Sequence, residues 1–133
     1  MSATDYHTSD ERTLPTVVYA LYLFGLIAGV TILVGVIIAY ANRGRSAMAD
    51  SHFVFQIRSF WIGLGLWFVA GLFGMWGWIW GVMPFIGFFG WPFVMMSVSI
   101  VFLTHLWFAV RCILGLVYVS RGDAYPRPRA WLA

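Results

Sequence analysis

Asp50-Ser51-His52-Phe53-Val54-Phe55-Gln56-Ile57-Arg58 is the polar segment between two long uncharged stretches, and its reading decides the fold. Thr13 to Asn42 on one side and Ser59 to Val110 on the other contain no Asp, Glu, Lys or Arg, and each exceeds the roughly 20 residues that cross a bilayer. The first predicts one span. The second is too long for a single helix and predicts two spans of about 22 residues. Gly81, Pro84, Gly87, Gly90 and Pro92 place their connection, because Pro removes a backbone donor and Gly weakens helix continuity. Trp76, Trp78, Trp80 and Trp91 crowd that turn, as amphipathic rings do at headgroup depth.

Composition agrees. Across 133 residues, 62% are hydrophobic and 10% charged, a balance outside the range of soluble domains. The expected fold class is all-α, an integral membrane three-helix bundle with an interfacial helix entering the second span. Its parts are a flexible segment over 1–13, a transmembrane domain over 14–120 with spans at about 14–41, 57–80 and 93–120, and an extended tail over 121–133. Acidic residues at Asp5, Asp10 and Glu11 and the long apolar run that follows argue against a cleavable signal peptide. Cys112 is the only cysteine, so no disulfide forms within the chain.

All eight basic residues are arginines. With three spans, Arg43, Arg45, Arg58, Arg121, Arg127 and Arg129 share one side and Arg12 stands on the other. The positive-inside rule then predicts a multi-pass protein with its N-terminus outside and its C-terminus cytoplasmic. The net charge of +3 reflects orientation and anionic-lipid contact rather than nucleic acid, since no dense basic run is present.

Lipid supplies no hydrophobic drive between helices, so small residues that permit close approach mark the contacts. Gly25 and Gly29 form such a pair in the first span, Gly63, Ala70, Gly74, Gly77 and Gly81 a line in the second, and Gly115 belongs to a stripe in the third. These glycines suit either packing within the bundle or association with other membrane subunits or further copies of the chain.

His52, Gln56 and Ser59 fall on one helical face and Phe53, Ile57 and Phe60 on the other, predicting a helix that lies at the interface before entering the bilayer, capped by Asp50 or Ser51. Arg111 sits about 13 Å inside the end of the third span, a depth that demands partners. Asp50, His52, Gln56, Arg58 and Arg111 are therefore expected to form a structural polar cluster. His105 is an intramembrane imidazole, a candidate ligand for haem iron or a chlorophyll-type pigment, weighed against a plain hydrogen bond to a neighbouring helix. No phosphate-binding loop, paired cysteines, zinc-protease motif or nucleophile with its base occurs, so neither catalytic residues nor a metal site are expected.

The motif Asp50-Ser51-His52-Phe53-x-Phe55-Gln56-Ile57-Arg58-Ser59-Phe60-Trp61, with Gly115-Leu116 and Ala124-Tyr125-Pro126-Arg127-Pro128-Arg129-Ala130-Trp131-Leu132, resembles uncharacterised small proteobacterial three-span membrane proteins. These are distantly similar to the small multi-spanning subunit of the chloroplast inner-envelope import translocon. The resemblance covers most of the chain and implies fold and location rather than activity. The chain departs from it in the aromatic and glycine content between Trp76 and Trp91. The leading functional expectation is a non-enzymatic accessory or scaffold protein, a small subunit or assembly factor of a larger membrane complex. The alternatives are a channel or translocation component, and a haem- or chlorophyll-binding subunit through His105.

Overall fold

A computed structural model describes residues 3–84 and 86–131, with the side chains of residues 3–10 and 28 outside the description. The described residues are all-helical, with no strand. The elements are α1 (Ala3–Ala28), α2 (Val30–Ala41), α3 (Ala47–Gly81), a 3-10 turn at Gly87–Gly90 and α4 (Trp91–Arg121). They divide into two compact units, Met1–Phe60 with Ala109–Ala133, and Trp61–Phe108.

In the first unit, the expected single span over 14–41 is instead a helical hairpin. Gly29 breaks the helix with φ 67°, a conformation that side-chain-bearing residues rarely adopt. Gly29 N–H donates to Gly25 O at 2.7 Å, and Thr31 Oγ1 donates to Leu21 O at 3.0 Å, tying the returning arm to the first. Gly25 leaves room for the Ile32 side chain and Gly35 for the Tyr22 ring, so α2 runs back along α1 at close range. A glycine pair that reads as a packing stripe is thus one packing residue, Gly25, and one turn residue, Gly29.

Two further expectations change. The segment 1–13 was expected to be flexible, yet α1 is helical from Ala3; residues 1 and 2 lie outside the description, as do 132 and 133 of the tail. The predicted topology set Arg12 opposite the tail, whereas the Arg12 guanidinium lies against Gly122, just past the end of α4. The hairpin is the reason: a stretch that turns back returns the chain to the end from which it came.

α3 begins before the expected cap. Ser46 Oγ accepts from Ala49 N–H at 3.2 Å, as an N-cap does, while Asp50 Oδ1 accepts from Gly44 N–H at 3.1 Å and pairs with Arg43 Nε at 3.6 Å. α4 ends at Arg121, and Gly122 follows with φ 77°, where Gly122 N–H donates to Val119 O and Asp123 N–H to Tyr118 O. That pair of bonds is a Schellman motif, which satisfies the last carbonyls and releases the tail.

In the second unit, α3 and α4 form an antiparallel pair joined at the predicted glycine- and proline-rich turn. Ser97 Oγ donates to Ala70 O at 2.7 Å and lies 3.0 Å from where a Gly74 Cβ would be. Gly77 accommodates Val94 and the backbone of Gly90, Gly81 is approached by the backbones of Gly87 and Gly90, and Gly63 meets Phe108. The outward faces carry exposed Phe68, Trp78, Phe88 and Phe102. Both helices are long and apolar enough to cross a membrane, and only 17% of the most apolar window of the first and 28% of that of the second is buried.

Gly115 offers a stability test within the first unit, because the Tyr19 ring occupies the space its Cβ would need. Gly115→Leu is expected to cost about 1–3 kcal/mol by overpacking. A lowered thermal midpoint in detergent would register this, and an unchanged midpoint would contradict the α1–α4 contact.

Candidate functional site

The first unit encloses a polar cluster. His52, Gln56 and Ser59 keep the expected helical spacing, but they are 0%, 0% and 2% exposed, so the stripe faces protein rather than water. Phe53 and Ile57 on the other face are buried too. Polar groups turned into protein must be satisfied there.

His52 bridges α1 and the tail. Its Nε2 lies 2.9 Å from Asp123 O, and because a carbonyl only accepts, Nε2 carries the proton. Nδ1 is then the acceptor for the Tyr19 hydroxyl at 3.1 Å. Both ring nitrogens are satisfied in the neutral form. One turn on, Gln56 Nε2 donates to Pro15 O at 3.0 Å, and Gln56 Oε1 is buried without a hydrogen bond. Tyr22 OH donates to Gln56 O at 3.3 Å.

Arg111 is 1% exposed. Its Nε donates to Ser59 Oγ at 2.9 Å, and Ser59 in turn donates to Phe55 O at 2.7 Å. One terminal nitrogen donates to both Ala130 O and Trp131 O at 3.1 Å, and the guanidinium carbon lies 3.8 Å from the centre of the Phe55 ring. The predicted cluster is therefore brought together only in part. His52, Gln56 and Arg111 meet the same core, Arg58 lies beneath the Trp131 ring at 5.7 Å, and Asp50 turns away to Arg43 and Gly44.

Sequence reasoning placed the tail along the membrane surface or over the entrance to the second span, but did not assign Tyr125 to the cluster. Tyr125 is buried, stacks on Phe55 with ring centres 3.8 Å apart, and donates its N–H to Ser51 Oγ at 2.9 Å. It missed Tyr19 and Tyr22 as well, although two tyrosines three apart in an apolar helix signal hydroxyls that need partners.

His105 belongs to the second unit. Nδ1 donates to Val101 O at 2.8 Å, which leaves the Nε2 lone pair as the acceptor, and Trp67 lies 5.4 Å away between ring centres. The ring thus offers one nitrogen of the kind that ligates a haem or chlorophyll metal, with its other nitrogen held by a carbonyl. No group of three or more metal-binding side chains occurs among the described residues. No protein family, curated protein or solved structure matches the chain.

One measurement probes the cluster. Arg111→Met removes the donors that hold Ala130 and Trp131. Trypsin cleavage after Arg129 is expected to accelerate by about tenfold or more, since a hydrogen bond to a charged group contributes about 1.5–3 kcal/mol.

Proposed function

We propose that the chain is a non-enzymatic accessory or scaffold protein of a bacterial inner membrane, a small subunit or assembly factor that works through lateral helix contacts. The single observation that carries this reading is the exposure of the second unit. It holds no Asp, Glu, Lys or Arg, and it presents Trp61, Phe68, Trp78, Phe88 and Phe102 outward, a surface suited to lipid or to other membrane helices. Two crossings, α3 and α4, replace the three expected from sequence, and the α1–α2 hairpin enters from the side to which it returns. The Arg12 end of α1, the 42–46 connection and the tail then share the cytoplasmic face, which satisfies the positive-inside rule without an exception. Anionic lipid contact along that face suits Arg43, Arg45, Arg121, Arg127 and Arg129. The resemblance to small proteobacterial membrane proteins points the same way.

A channel role loses its main support, because Arg111 is engaged by Ser59, Phe55 and tail carbonyls inside a packed cluster. A pigment- or haem-binding role retains the geometry of His105, and an absorption band lost in His105→Leu is its test.

Two experiments address the leading reading. Reporter fusions at either chain end should read cytoplasmic, and one placed at Ile86 should read external; an Arg12 end that reads external overturns the two-crossing topology. Purification in mild detergent with native lipids should yield a co-purifying membrane protein or an oligomer. A solitary monomer would overturn the scaffold role.

A further inference from the structure

We infer that the α1–α2 hairpin is a one-leaflet wedge that directs the protein to membrane curved convex toward its arginine-bearing face. This rests on the two-crossing topology proposed above. The first observation is length. α2 has 12 residues, about 18 Å at 1.5 Å per residue, against a hydrocarbon core of about 30 Å. From Leu14 to Gly29 the apolar part of α1 reaches about 24 Å. Neither arm crosses the bilayer, and the turn ends inside it.

The second observation is the chemistry of that turn. Phe24, Ile27 and Val30 around it are 61%, 89% and 69% exposed, and no charged residue lies between Thr13 and Asn42. An exposed apolar apex is costly in water and at home in acyl chains. Hydrocarbon tolerates a chain reversal only where backbone groups are satisfied internally. Gly29 N–H donates to Gly25 O, Ile32 N–H donates to Gly29 O, and the Thr31 hydroxyl reaches Leu21 O. The polar ends of the arms, Arg12 on one and Asn42, Arg43 and Arg45 on the other, stay at the open end.

The third step is area. Each arm has a helix cross-section about 10 Å wide; at about 18–24 Å it fills the near half of a core of about 30 Å and only part of the far half, so the area it adds is greater in the leaflet it enters. α3 and α4 are each long enough to cross both leaflets and add to them alike. The excess on one side is relieved where the membrane bends toward that side, so binding becomes curvature-sensitive, as it is for amphipathic helices inserted in one leaflet.

The test uses the full chain with Val30→Cys in a Cys112→Ala background, labelled at position 30 and reconstituted into giant vesicles with trypsin-accessible arginines outward. Lipids carrying quenchers at set depths report where the apex sits, and narrow tubes pulled from the vesicles report curvature preference. The expected result is strongest quenching near the bilayer centre together with severalfold enrichment in the tubes. Central quenching with equal density in tube and flat membrane overturns the wedge while leaving the topology intact. Quenching strongest at the far interface, or none at any depth, overturns the topology itself.

Discussion

A guanidinium at 1% exposure is the costliest group in this chain, and the arrangement around Arg111 follows from what it requires. Its rigid fork of donors needs several acceptors in one plane. Helices are poor suppliers, because their interior carbonyls are already bonded within the helix. Ser59 solves part of the problem by donating to Phe55 O while accepting from Arg111. The rest comes from irregular backbone. Past the Schellman turn at Gly122, the tail with Pro126 and Pro128 has carbonyls that no helix uses, and those of Ala130 and Trp131 are spent on Arg111. The return of the tail then brings Tyr125 onto Phe55 and Asp123 O to His52.

The two units are held by different physics. The first is joined by long-range side-chain bonds, Tyr19 to His52, Gln56 to Pro15, Arg111 to Ser59 and Tyr125 to Ser51. The second relies on close helix approach at Gly74 and Gly77 with the Ser97 bond to Ala70. The second pattern is what apolar surroundings favour, since small residues gain dispersion contacts that lipid cannot displace. The first resembles the interior of a water-soluble domain, with polar groups shielded and paired.

Legibility in the sequence divided along the same line. The long uncharged stretches, the turn after Gly81 and the small-residue line of α3 follow from composition and periodicity, which depend on local residues. The hairpin at Gly29 does not, because Gly25-x-x-x-Gly29 satisfies a packing stripe and a turn equally well. Periodicity cannot separate a glycine that admits a neighbour from one that takes positive φ. The polar stripe His52-Gln56-Ser59 was visible, yet its burial was not, since burial depends on α1 and a tail distant in sequence. Asp50 misled for a related reason: a carboxylate near a helix start suits a cap, but Ser46 already filled that place and left Asp50 to the Arg43 loop.

The hairpin also changes how the arginine distribution is weighed. With an odd number of crossings, Arg12 is a lone exception to the positive-inside rule, tolerable because one charge rarely decides orientation. With two crossings and a returning hairpin the exception disappears. The contact of Arg12 with Gly122 is a matter of geometry within the first unit and does not depend on counting charges. A single residue underlies it: Gly29 at φ 67° turns the chain back, so Arg12 and the 42–46 connection stand at the open end of one hairpin.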